Sequence, residues 1–122
     1  MHRLLIVDDS LIVRNRIARL AARPDLPFFT VVGVAGDGHE ALRIAAEQQP
    51  TVATMDLTMP HMDGEACIEA LADQFPEIRI LVVSALSDKT TALRAIRKGA
   101  QGFLLKPFSD DELVDSLREL ML

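Results

Sequence analysis

The chain has 122 residues, of which 49% are hydrophobic, and a formal net charge of −5 from 18 acidic and 13 basic side chains. This length leaves room for one domain, no apolar run reaches the ~20 residues that a membrane-spanning helix needs, and the excess negative charge repels a nucleic-acid backbone. We therefore expect one domain over residues 1–122, located in the cytoplasm, that binds neither membrane nor nucleic acid.

Five short runs rich in leucine and β-branched residues predict five strands. They cover residues 4–7, 31–34, 52–55, 80–83 and 103–105. Because the runs are almost continuously apolar, we expect the strands to be buried on both faces of their sheet.

Five segments between and after these runs predict helices. Three of them, around residues 13–21, 68–75 and 113–121, have apolar residues at helical spacing, and two more are predicted over residues 38–48 and 88–98. The fourth helix ends with two cations and Gly99, a favourable C-cap. The fifth begins with Ser109 and Glu112, which have the spacing of a capping box.

The alternation of strands and helices with short connections predicts the fold class. Right-handed crossovers place each helix on a face of the sheet and make the strands parallel. We therefore predict an α/β domain with a five-stranded, doubly wound parallel sheet and five helices.

Polar side chains follow four of the predicted strands, at the point where each strand ends. They are Asp8 and Asp9 after the first strand, Asp56 after the third, Ser84 after the fourth and Lys106 after the fifth. In a doubly wound sheet, ligands bind beyond the carboxyl ends of the strands. We therefore expect these side chains to meet in one cleft.

The residue types in this cleft predict phosphoryl chemistry with a metal ion. Three carboxylates repel one another unless a cation joins them, and oxygen ligands with room for water and phosphate favour Mg²⁺ over a caged Ca²⁺. Asp56 can then act as a nucleophile toward phosphorus. Lys106 would neutralise the added charge, and Ser84 would donate a hydrogen bond to a phosphoryl oxygen.

Each of these residues also has an ordinary structural explanation. Acidic pairs such as Asp8 and Asp9 commonly begin a helix, and Asp56 stands before a Thr-Met-Pro segment that is typical of a turn. Structural charges, however, have no reason to gather at one edge of one sheet. Their shared position favours a functional site.

Four sequence motifs resemble those of response-regulator receiver domains, and the resemblance extends from end to end. They are LIVDDS at residues 5–10, MDLTMP at 55–60 with MDG at 62–64, VSA at 83–85 and KPF at 106–108. The likeness is greatest to single-domain chemotaxis regulators. It implies the flavodoxin-like strand order 2-1-3-4-5.

The resemblance also implies a role for each acidic residue of the site. Asp56 corresponds to the phosphoacceptor, and Asp9 and Asp56 to direct ligands of Mg²⁺. Asp8 corresponds to a residue that acts on the metal through water. Thr58 lies at the position whose backbone carbonyl, rather than side chain, is a metal ligand.

Four further residues correspond to phosphate-binding and switch positions. Lys106 matches the phosphate-binding lysine, and Pro107 a proline preceded by a cis peptide bond. Ser84 and Phe103 match the switch hydroxyl and aromatic residue, where threonine and tyrosine are commoner, so their coupling is expected to be looser. Phe103 can equally be an ordinary core residue of the strand, and both interpretations stay open.

The resemblance implies a function in two-component signalling. A sensor histidine kinase would phosphorylate Asp56, and the charge would alter the face formed by the fourth helix, fifth strand and fifth helix. A downstream target protein would dock there, and the chain would be a monomer or a phosphorylation-dependent dimer. It would be no enzyme beyond its own phosphorylation and dephosphorylation. We expect a stand-alone chemotaxis-type regulator, and the alternative is a receiver from a larger regulator with an effector domain.

Three other functions fit the sequence less well. An aspartyl-phosphate phosphatase of the haloacid-dehalogenase type needs a general-acid aspartate where this chain has Thr58. The glycines at positions 33, 36 and 38 reverse the order of a dinucleotide-binding fingerprint and follow the second strand instead of the first. A receiver-like domain that only binds partners would have no need of the complete acidic site.

Overall fold

The computed structural model describes residues 2–122. In chain order the elements are β1 (His2–Val7), α1 (Leu11–Ala21), β2 (Phe29–Ala35), α2 (Gly38–Gln48), β3 (Val52–Met55), α3 (Gly64–Gln74), β4 (Arg79–Ser84), α4 (Lys89–Lys98), β5 (Gly102–Leu105) and α5 (Asp110–Leu120). The five predicted strands and five predicted helices are all found there, with bounds that differ by a few residues.

The strands form one parallel sheet in the order β2-β1-β3-β4-β5, which confirms the predicted topology. Helices α1 and α5 supply one apolar core with the sheet, and α2, α3 and α4 supply another on the opposite face. The winding direction reverses between β1 and β3. The carboxyl ends of these two strands therefore border the crevice in which such folds bind ligands.

The prediction that all strands are buried on both faces is wrong at the two edges of the sheet. The central strands are buried, but Val31 and Val34 of β2 are 39% and 44% exposed, and Leu105 of β5 is 44% exposed. An edge strand has a neighbour on one side only, so its side chains are less completely covered. The apolar runs in the sequence do not distinguish edge strands from central ones.

Side-chain caps define where each helix starts. A serine or aspartate before each helix accepts a hydrogen bond from the backbone N–H three residues on; these caps are Ser10, Asp37, Asp63, Asp88 and Ser109. The capping box of Ser109 and Glu112 is confirmed, as is the C-cap Gly99, whose φ of 132° favours glycine. No helix among residues 2–122 is both long and apolar enough to span a membrane.

Candidate functional site

The structure brings together the three acidic side chains that the sequence places after β1 and β3. Carboxylate oxygens of Asp8, Asp9 and Asp56 all lie within 4.8 Å of one another. The backbone N–H of Asp8 donates to the carbonyl of Ala35 at 3.0 Å, and that of Asp56 donates to the carbonyl of Val7 at 2.9 Å. These bonds continue the sheet past the strand ends, so the backbone itself brings the carboxylates together.

The three carboxylates differ in their surroundings. Asp8 is 1% exposed, and its Oδ1 accepts a hydrogen bond from the N–H of Ser10 at 2.8 Å. Asp56 is 4% exposed, and its Oδ1 accepts from the N–H of Thr58 at 3.3 Å. Asp9 is exposed. The cluster is therefore buried on one side and open to solvent on the other.

Lys106 is the cation of the site. Its Nζ lies 2.8 Å from Oδ2 of Asp8 and 3.7 Å from Oδ1 of Asp56. The backbone N–H of Lys106 donates to the carbonyl of Ser84 at 2.8 Å, which ties the residue to the end of β4. One ammonium group faces three carboxylates, so the cluster keeps an excess of negative charge.

The chemistry of this donor set fits a hard divalent cation. Burial and, to a lesser extent, the negative charge of Asp8 raise the pKa of Asp56 from 3.8 to about 6, although Lys106 opposes the rise. A metal ion would remove the repulsion that makes ionised Asp56 unfavourable. The ligands are oxygen atoms, and the solvent-exposed side leaves room for water, as Mg²⁺ prefers.

Ser84, at the end of β4, is completely buried beside the strand that leads to Asp56. Its Oγ accepts a hydrogen bond from the N–H of Leu86 at 3.0 Å. The hydroxyl therefore contacts the backbone that leads from β4 towards α4. Loss of this hydrogen bond would alter the backbone of the connection between β4 and α4.

The remaining predicted positions are Thr58, Pro107 and Phe103. Thr58 is exposed in the loop after Asp56. The peptide bond between Lys106 and Pro107 is cis. Phe103 is half-buried in β5 and packs against the core formed by α2, α3 and α4. Its place in the strand fits both a switch residue and an ordinary core residue.

Gly64 has a part in the site that the sequence did not reveal. It is the first residue of α3, and its N–H donates to the carbonyl of Leu57 at 3.0 Å. A Cβ atom here would collide with the backbone oxygen of Asp56 and lie 2.6 Å from the Cα of Leu57. Only glycine lets α3 begin directly against the loop that carries Asp56. The motif contained Gly64, but this contact depends on tertiary structure.

Comparisons with known proteins agree with this arrangement. Residues 4–118 match the family model described as response regulator receiver domain. The chemotaxis protein CheY of Listeria monocytogenes is 34% identical over 98% of both chains. The transcriptional regulatory protein LiaR of Bacillus subtilis is 35% identical over 97% of this chain but 55% of its own length. A chain of the CheX–CheY–BeF₃–Mg²⁺ complex from Borrelia burgdorferi superposes with a TM-score of 0.89 at 25% identity, covering 99% of this chain and 90% of that one.

The raised pKa of Asp56 predicts a pH-dependent gain in stability for Asp56→Asn in the absence of metal. In the wild type, the folded state binds the Asp56 proton more tightly than the unfolded state does. Protonation of Asp56 therefore contributes its full stabilisation of the folded state below the unfolded pKa of 3.8, and this stabilisation is lost as pH rises through about 6. At pH 7.5 we expect the variant to be more stable than wild type by roughly 1 to 3 kcal/mol. The gain should shrink between pH 6 and 4.

Urea unfolding at several pH values measures this difference. Asp73→Asn, on the exposed side of α3, is the control that removes a charge away from the cluster. A difference between Asp56→Asn and wild type that does not vary between pH 4 and 8 would contradict the prediction.

The close approach of Gly64 predicts that Gly64→Ala destabilises the protein and weakens its binding of Mg²⁺. Overpacking at a rigid contact costs about 1 to 3 kcal/mol, and here the displaced atoms belong to the backbone of Asp56. Gly38→Ala is a matched control, because Gly38 begins α2 and the three atoms nearest to its added Cβ would belong to the side chain of Met62 rather than to backbone. Urea unfolding and Mg²⁺ titration compare the two variants. Equal losses in both would show that the contact with Asp56 is unimportant.

Proposed function

Because this chain belongs to the response-regulator receiver domain family, we propose that it is a signalling receiver that is phosphorylated on Asp56. The phosphoryl donor is a sensor histidine kinase. The observation that carries the proposal is the position of Asp56, a buried carboxylate between two further acids and the ammonium group of Lys106.

The acidic cluster would hold Mg²⁺. Asp9 and Asp56 would be its direct ligands, together with the backbone carbonyl of Thr58, and Asp8 would act through water. When bound, the ion shields the negative charges of the carboxylate and of the phosphoryl group as they approach. The donor chemistry and the open side at Asp9 support this assignment.

Phosphoryl transfer needs a nucleophile and groups that receive the charge. A carboxylate oxygen of Asp56 forms the new bond to phosphorus, while the bond from phosphorus to the donor's imidazole nitrogen breaks and leaves its electron pair on nitrogen. Lys106, already 3.7 Å from Oδ1 of Asp56, pairs with a phosphoryl oxygen. The hydroxyl of Ser84 donates a hydrogen bond to another.

The response to phosphorylation passes through Ser84. When its hydroxyl turns toward the phosphoryl group, it gives up the hydrogen bond that it accepts from the N–H of Leu86. The connection into α4 then rearranges, and Phe103 moves inward into the space that Ser84 leaves. Serine and phenylalanine form a two-state element that the phosphoryl group biases.

The surface affected is formed by α4, β5 and α5, which we call the output face. It exposes large apolar side chains, with Leu93 and Ile96 of α4 about half exposed and Leu105 of β5 44% exposed. A downstream protein docks on this face, or a second copy does after phosphorylation, so that the chain is a monomer or a phosphorylation-dependent dimer. Exposed apolar patches are typical of such interaction surfaces.

The chain acts on no substrate other than itself, since its chemistry is its own phosphorylation and dephosphorylation, and it works in the cytoplasm. The 34% identity with chemotaxis CheY supports the proposal of a chemotaxis-type regulator, which we take to be stand-alone. The partial coverage of LiaR supports the alternative, a receiver within a longer regulator that carries an effector domain. Both interpretations require the same site.

Incubation with acetyl phosphate and Mg²⁺, followed by intact-mass measurement, tests the phosphorylation. We expect the wild-type chain to gain one phosphoryl group, and Asp56→Asn or a sample with excess chelator to gain none. A wild-type chain that gains no phosphoryl mass, or an Asp56→Asn variant that still gains it, would refute the assignment of Asp56 as the phosphoacceptor.

The switch is tested by amide NMR spectra recorded with and without beryllofluoride and Mg²⁺. We expect chemical-shift changes at Leu93, Ile96 and Leu105 of the output face, and little change at Leu42 and Glu47 of α2. In Ser84→Ala the output-face changes should largely vanish, because the hydroxyl that couples the phosphoryl group to the β4–α4 connection is absent. Changes confined to the strand ends in the wild type would refute the switch.

A further inference from the structure

Arg16 of α1 holds the loop that leads from Lys106 into α5. Its Nη2 donates to the carbonyl of Phe108 at 2.7 Å and to Oδ1 of Asp110 at 2.8 Å, and its Nε donates to the same carboxylate oxygen at 3.0 Å. The guanidinium carbon also lies 4.3 Å from the centroid of the Phe108 ring. One side chain thus binds a backbone carbonyl, a carboxylate and an aromatic face in the same short loop.

These contacts differ from an ordinary surface ion pair. An exposed pair such as Arg43 with Glu47 joins only two side chains and contributes little to stability. Arg16 instead bonds to the main chain and stacks on Phe108, whose residue is only 6% exposed. Planar guanidinium groups suit such combined stacking and hydrogen bonding. The contact therefore restrains the backbone of the loop.

Lys106 lies between two fixed points of the chain. On its amino side, its own N–H donates to the carbonyl of Ser84 at 2.8 Å. On its carboxyl side, Arg16 holds the carbonyl of Phe108, and Pro107 between them has a restricted φ. With both sides held, the backbone of Lys106 has little freedom. From this restrained backbone its ammonium group extends to 2.8 Å from Asp8 and 3.7 Å from Asp56.

We propose that Arg16 is a positioning residue for Lys106, which sets where the ammonium group meets the phosphoryl oxygens on Asp56. The inference rests on the function proposed for Lys106. Within residues 2–122, the hydrogen bonds and ion pair of Arg16 go to Phe108 and Asp110 rather than to Asp8, Asp9 or Asp56. Arg16 acts by joining α1 to the loop after β5, across 92 residues of sequence.

Arg16→Met tests the proposal, because methionine keeps an apolar stem to pack on Phe108 but loses every hydrogen bond. Misplacing a charged group relative to the reacting atoms has large effects on rate, so we expect phosphorylation by acetyl phosphate at saturating Mg²⁺ to slow by about 10-fold. The affinity for beryllofluoride, which mimics the phosphoryl group, should fall by a similar factor. The affinity for Mg²⁺ alone should stay within about 2-fold, since Lys106 is no metal ligand.

Three further comparisons separate positioning from stability. In a Lys106→Met background, Arg16→Met should have no additional effect on phosphorylation, as expected for residues that act through one another. Arg118→Met removes a similarly exposed arginine near the other end of α5 and should leave the rate unchanged. Arg16→Lys keeps the cation but loses the planar guanidinium group, so its phosphorylation rate should lie between those of wild type and Arg16→Met. If Arg16→Met does not fold, Arg16→Lys serves the same test.

The outcomes distinguish the positioning role of Arg16 from the proposed phosphorylation of Asp56 on which it rests. If the wild-type chain takes no phosphoryl group, the proposed function fails first. If the wild type is phosphorylated and both Arg16 variants react at its rate, or if Mg²⁺ and beryllofluoride affinities fall together, the positioning role is refuted. A selective loss of beryllofluoride affinity that disappears in the Lys106→Met background supports it.

Discussion

Mutual repulsion among three carboxylates is the constraint on which the rest of this structure depends. Backbone hydrogen bonds that continue the sheet beyond β1 and β3 hold Asp8 and Asp56 in place, and Asp9 follows Asp8 directly in the chain. The fold creates an unfavourable cluster, and Lys106 relieves only part of it. A cluster of this kind gains stability from a cation, and the nucleophile that we propose lies within it.

Ser84 and Lys106 show how neighbouring strands connect this cluster to the surface. The carbonyl of Ser84 accepts the N–H of Lys106, while its hydroxyl accepts the N–H of Leu86. One buried residue thus contacts both the strand end that carries the cation and the connection to α4. Signal transmission by this route would need no long chain of intermediates, because the end of β4 shares hydrogen bonds with both Lys106 and the connection to α4.

Much of this architecture could be predicted from local sequence. Apolar patterns indicate the five strands and three of the helices. Parallel pairing then brings the strand ends together, so Asp8, Asp9, Asp56, Ser84 and Lys106 could be expected at one edge. The exposure of Val31 and Leu105 could not, because the same apolar pattern fits central and edge strands. The roles of Gly64 and Arg16 could not be predicted for a different reason. Their importance comes from contacts with Asp56 and Phe108, which depend on packing between elements.

The pairing of Asp8 with Lys106 spans 98 residues and joins the first strand to the residue after the last. During synthesis, the three acids are therefore all made long before their cation is. A partly synthesised chain that has formed only the first four strands carries the full negative charge and lacks Lys106. Assembly of the site is thus tied to completion of the sheet, and the nascent acidic cluster must rely on solvent or dissolved cations until β5 is in place.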